Sequence, residues 1–187
     1  VFRLLENLQV PCRGLVGPWG HKYPHLGGPG PTIDFLGECL RWWDHWLKGI
    51  DRGVEDDPVL RAWMQDTVNP MLPERPGHWV AEGKWPSVRI GERQFRINRR
   101  LLVPDEGQKI EDEELTIQSP LSVGLFAGKW CSYAEDTDLP WDQREEDGGA
   151  LVFDTEPLPE DLEILGNVRV DLDLSVDKPV SMVAVRL

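Results

Sequence analysis

Hydrophobic and polar residues alternate most regularly near the end of the chain. Val168, Val170, Leu172, Leu174 and Val176 are separated by Arg169, Asp171, Asp173 and Ser175. A period of two over nine residues predicts an antiparallel strand with one face buried. A second pattern occupies residues 59–64, where Val59, Arg61 and Trp63 alternate with Leu60, Ala62 and Met64. Apolar residues on both sides predict a strand covered on both faces. Further short apolar runs at 94–97, 101–103, 115–117, 150–153 and 162–165 are expected to be strands. Short strands divided by Pro/Gly turns point to a β-sandwich or jelly roll.

The first part of the chain follows a different period. Val1, Leu4, Leu5 and Leu8 recur at helical spacing, and Pro11 separates them from an apolar run at 12–16 that reads as a buried strand. Residues 17–31 are rich in Gly and Pro and are expected to form an irregular loop. A helix is predicted over 32–48, with Thr32 as N-cap, Asp34 in the first turn and Gly49 just past the end. Its apolar stripe is Leu36, Cys39, Leu40, Trp43, Trp46 and Leu47, expected to be core. Asp44 and Lys48 are placed for an i,i+4 ion pair. The charged segment 50–58, with Asp56-Asp57-Pro58, reads as a linker, so the chain divides into residues 1–57 and 58–187.

Composition narrows the function classes. A net charge of -13 over 187 residues argues against nucleic acid or an anionic membrane surface as partner. No apolar run is long enough for a membrane span, and no signal peptide is evident. Cys12, Cys39 and Cys131 are odd in number and far apart, which suits a reducing compartment and hence a cytoplasmic location. The first residue is Val rather than Met, and the chain is expected to lack its true N-terminus. The acidic stretches 111–114 and 135–138 read as solvated loops. No cofactor or metal site is expected, and a homo-oligomer stays open.

The candidate chemistry sits in Gly17-Pro18-Trp19-Gly20-His21. An apolar strand running into a Gly/Pro turn can present a histidine at the rim of a sheet. Strand, His-bearing loop and following helix have the order in which an α/β-hydrolase carries its catalytic His, after Ser and Asp. The serines are Ser87, Ser119, Ser122, Ser132, Ser175 and Ser181, and none has the G-x-S-x-G flanks of a nucleophile elbow. Of a Ser-His-Asp triad only His21 is therefore present. A histidine in a Gly-rich loop also serves as a surface or capping residue, and spacing alone does not choose. His21 and His25 could suggest a metal pair, but lack an adjacent acid or Cys. His45 reads as structural and His78 as a loop residue.

These residues carry a resemblance. Gly17-Pro18-Trp19-Gly20-His21, the Gly/Pro loop, and Asp34-Phe35-Leu36 followed by Arg41-Trp42-Trp43-Asp44-His45-Trp46-Leu47-Lys48-Gly49 resemble the CocE/NonD family. So do, in the same order, Pro58-Val59-Leu60-Arg61-Ala62-Trp63-Met64, Trp79 with Trp85-Pro86, Asp142-Gln143-Arg144-Glu145-Glu146-Asp147, Leu151-Val152-Phe153-Asp154 and Ile164-Leu165-Gly166. The family holds cocaine esterase-like acyl esterases and is related to Xaa-Pro dipeptidyl peptidases. The resemblance implies a mixed fold: residues 1–57 close an α/β-hydrolase domain, and 58–187 form a jelly-roll, galactose-binding-like sandwich, cut at both ends. It implies His21 as triad base and a small ester, amide or peptide as substrate. The competing expectations are a dipeptidyl peptidase and a non-catalytic binding module. A row of exposed Trp on one sandwich face would favour the module.

Overall fold

The computed structural model describes residues 1–69, 72–107, 109–111, 113–133 and 138–187. Regular structure is mostly sheet with few helices. Helix α1 (Phe2–Asn7) leads to strand β1 (Gly14–Val16), and helix α2 (Phe35–Lys48) follows the Gly/Pro loop. Strands β2 (Leu60–Gln65), β3 (Gly77–Glu82), β4 (Phe95–Asn98) and β5 (Leu101–Pro104) come next. Two short 3₁₀ turns, Leu125–Ala127 and Gln143–Gly149, complete the regular elements among the described residues.

β2 is the centre of a three-stranded sheet. β1 lies parallel to it, Gly14 opposite Leu60, and β3 lies antiparallel, Leu60 opposite Glu82 and Gln65 opposite Gly77. The double-sided apolar pattern of 59–64 is explained by this central position: Leu60 is wholly buried and packs with Leu5 and Ala62. Phe2, Val16, Val80, Trp85 and Leu165 close around them, Phe2 stacking on Trp85 at 4.9 Å between ring centres. β4 and β5 form a separate hairpin. Its two-residue turn places Arg99 and Arg100 at φ 46° and 69°, the positive values that suit a twisted hairpin.

Four expectations change. Residues 168–176 form no strand: no ladder partner faces them among the described residues, and all five apolar side chains are exposed. Alternation prepares a strand face, but an unpartnered strand leaves its amides unpaired and does not persist. Runs 115–117, 150–153 and 162–165 likewise carry no strand, although Leu101 and Asp154 form a single bridge. β3 was missed because Gly77, His78 and Glu82 blur its apolar centre. An α/β-hydrolase sheet is not formed among the described residues: β1 with β2 is the one parallel ladder, and the other parallel pairings are the isolated bridges Gly30–Glu74 and Leu101–Asp154. In the acidic stretches, Asp112 and residues 135–137 lie outside the described residues.

α2 shows why an apolar stripe is not always a buried one. Its N-cap is Asp34 rather than Thr32, because the Asp34 carboxylate accepts the Gly37 amide at 2.9 Å. Gly49 ends it at φ 69°, in the left-handed geometry that glycine adopts without strain. The charged face packs against the segment expected to be a free linker. Arg41 pairs with Asp57, and Arg61 with Glu38. Asp44, only 3% exposed, accepts from Lys48 at 2.7 Å and from Arg52 at 2.8 Å. Val54 is buried in the same segment. With the polar face engaged, Leu36, Leu40, Trp43, Trp46 and Leu47 are exposed, and Trp43 and Trp46 are not core residues of this chain.

The hydrogen bonds from Lys48, then Arg52, hold the Asp44 carboxyl below the usual carboxylate range. A depressed folded value stabilises the fold above the unfolded value, about pH 4, and the contribution is lost as pH falls through the folded value. Asp44→Asn is therefore expected to lower the denaturation midpoint at pH 7. The gap from the native sequence should narrow at pH 3. A gap of the same size at both pH values would contradict the assignment.

Candidate functional site

The loop after β1 is built around Trp19. Its ring lies over Gly17, where an added Cβ would approach the indole to 2.6 Å, so the Gly-Pro-Trp sequence needs its glycine for close packing. The indole N–H donates to the Pro31 carbonyl at 2.7 Å, tying together the two ends of the loop. The Gly20 amide donates to the Gly28 carbonyl at 2.9 Å. The far end pairs with the segment before β3. The Gly30 amide donates to the Pro73 carbonyl at 2.8 Å, and the Arg75 amide donates to the Gly30 carbonyl at 3.0 Å. Three tryptophans link the loop to the sheet: Trp19 is 6.3 Å from Trp79, which meets Trp63 edge-on at 5.4 Å.

His21 is thereby presented at the surface, one turn beyond the sheet. Its amide donates to the Ser132 carbonyl at 2.5 Å, and its ring is tilted 46° against Tyr133 with centres 5.2 Å apart. Ion-paired histidines among the described residues are His45 and His78, not His21. His21 is thus exposed and braced, with no carboxylate or serine side chain bonded to its ring among the described residues.

The other histidines take separate places. His25 lies parallel to Phe35, its ring tilted 2° from that plane, and 5.8 Å from Tyr23, so it belongs to an aromatic stack. Its Nδ1 is buried and unpartnered. No cluster of three or more metal-ligating side chains occurs among the described residues. His45 lies between Asp51 at 4.0 Å and Glu55 at 3.6 Å, at the end of α2. His78 is a β3 residue, not a loop residue, and its Nε2 faces Glu163 at 3.1 Å.

Ser87 has an acidic neighbour but not the chemistry of a nucleophile. Its hydroxyl donates to the Glu82 carboxylate at 2.5 Å, and Arg89 holds the same carboxylate at 2.6 Å. These bonds, Ser87 first, keep the Glu82 carboxyl below its ordinary range. A carboxylate stabilised in its charged form is a poor proton acceptor, so the pair is a structural tie. Two surface grooves, of about 350 and 410 Å³, are lined by α2 with Arg52 and by residues 117–126 with 145–149. Neither includes His21. Cys12, Cys39 and Cys131 are all unpaired. No helix among the described residues is long and apolar enough to cross a membrane.

Ser132, Tyr133 and Trp79 were not legible as site residues. Their contacts with the loop join parts of the chain more than fifty positions apart, and no local pattern encodes that.

Residues 52–187 match the family described as the X-Pro dipeptidyl-peptidase C-terminal non-catalytic domain. The chain belongs to this family. His21 lies before the residues matched to the X-Pro dipeptidyl-peptidase C-terminal domain, whereas Trp79, Ser132 and Tyr133 lie within them. A Mycobacterium bovis protein named as a serine esterase is 26% identical over 167 residues, covering 84% of this chain and 25% of that protein. A Bacillus cereus protein named as an Xaa-Pro dipeptidyl-peptidase is 23% identical over 164 residues, covering 84% of this chain and 24% of that protein. The chain spans about a quarter of the length of these curated relatives. No solved structure matches the chain. The CocE/NonD-like resemblance is supported, at low identity, as that of a C-terminal portion.

Proposed function

We propose that these residues are the C-terminal part of a serine hydrolase that cleaves acyl esters or amides, with His21 as its general base. Residues 1–57 would trail an α/β-hydrolase catalytic domain, and 58–187 would be a jelly-roll module packed beside it. The observation that carries the reading is the placement of His21. A strand at the sheet edge ends in a braced loop that lifts to the surface an imidazole with no ion-pair partner among the described residues, and a helix follows. In such a site the base takes the serine proton during attack, gives it to the leaving alcohol or amine, and then activates water against the acyl-enzyme. No cofactor is needed for this chemistry. The relative named as an Xaa-Pro dipeptidyl-peptidase supports peptide cleavage as a second reading. An acidic anchor for a substrate amine would distinguish it from the esterase.

The 187-residue chain alone is expected to turn over no p-nitrophenyl ester, because none of its serines has an elbow. The whole protein is expected to do so and to lose turnover on treatment with a serine-directed phosphonate. Phosphonate-sensitive turnover by the chain alone, or none in the whole protein, would refute the proposal.

A further inference from the structure

Every long-range bond to the His21 loop described above comes from residues 73–79 or 132–133, within the part of the chain that matches a domain described as non-catalytic. Two neighbouring residues act on His21 itself. The Ser132 carbonyl receives its amide proton and fixes its backbone, and the Tyr133 ring lies against its imidazole. Without a ring neighbour, an exposed imidazole would sample several rotamers, and a base must be held close to its productive geometry. A tilted aromatic pair with centres 5.2 Å apart lies in the favoured range for such contacts.

We infer that Tyr133 is a positioning residue for His21, through which the C-terminal module sets the orientation of the imidazole. The inference rests on the reading of His21 as the base. Tyr133 is 57% exposed, so it is not a core residue and its ring can be removed without unfolding the protein. The phenolic hydroxyl has no part in the contact, so phenylalanine can replace it.

The test uses the whole protein with Tyr133→Ala and Tyr133→Phe. Steady-state hydrolysis of a p-nitrophenyl ester and NMR of ring-¹³C-labelled histidine are measured, the His21 signal being assigned by its loss in His21→Ala. Tyr133→Ala is expected to lower kcat by up to about 100-fold, the cost of a misplaced catalytic group. KM should stay within about twofold, because ground-state binding is untouched. The His21 ring signal should move as the Tyr133 ring current is lost. Tyr133→Phe should restore both kcat and the signal. An unchanged kcat and an unmoved signal in Tyr133→Ala, with His21→Ala inactive, would overturn the positioning role alone. Equal losses in the Phe and Ala variants would also overturn it, by assigning the work to the hydroxyl. A whole protein without ester turnover would overturn the reading of His21 as a base, and with it the positioning role. A His21 signal that still answered to Tyr133 would then leave only a structural ring contact.

Discussion

His21→Ala in the whole protein is expected to lower ester turnover by about 10⁴-fold or more, the usual cost of removing the base from a serine triad. The denaturation midpoint should stay where it is. His21 holds its place through a backbone amide, which alanine keeps, and its exposed ring lies against Tyr133. His25→Ala should give the opposite pattern. That ring belongs to a three-ring cluster with Tyr23 and Phe35, so its removal should loosen the loop and spare most of the turnover. Paired kinetics and unfolding curves for the two variants separate the roles. Equal losses of turnover would point to a shared metal or structural function and would remove the case for a single base.

Leu60→Ala is expected to cost about 2–5 kcal/mol, the range for truncating a fully buried leucine. Leu60 is wholly buried and stands where the parallel and antiparallel ladders meet, opposite Gly14 on one side and Glu82 on the other. A cavity there would strip packing from Leu5 and Ala62 and loosen the strand that delivers the His21 loop. Leu172→Ala should change stability by no more than about 0.5 kcal/mol, since Leu172 is 43% exposed and belongs to no strand among the described residues. Urea unfolding of both variants checks the contrast. A larger loss at Leu172 than at Leu60 would place the stabilising core in the C-terminal segment instead of in the three-stranded sheet.

The sequence made several elements legible because their signals are local. The helix ending at Gly49, the strand after Pro58, the hairpin region and the loop bearing His21 all declare themselves through spacing, caps or turn residues. Elements whose identity depends on a distant partner were hidden. β3 is a strand because β2 lies beside it, and Trp79 is cross-strand to Trp63. Residues 168–176 have the alternation of a strand without a neighbour to pair with among the described residues. The α2 stripe was read as core because Leu36, Leu40, Trp43 and Leu47 share a face. The competing face won, since Asp44, Arg41 and Glu38 find ionic partners in 52–61. At the site, His21 was visible from its turn, whereas Ser132 and Tyr133 were reachable only through the fold.

The parallel pairing of β1 with β2, and the bonds from 73–79 and 132–133 to the loop, set a timetable for synthesis. The ribosome releases the His21 loop before the strand and loop residues outside it that brace it. Gly14 must wait for Leu60, Gly30 for Pro73 and His21 for Ser132. Contacts that close long stretches of chain form slowly, because the entropy of closure precedes the reward. The histidine loop is therefore among the last parts of the molecule to acquire its shape, and a nascent chain halted before Ser132 holds a formed α2 helix beside an unset His21.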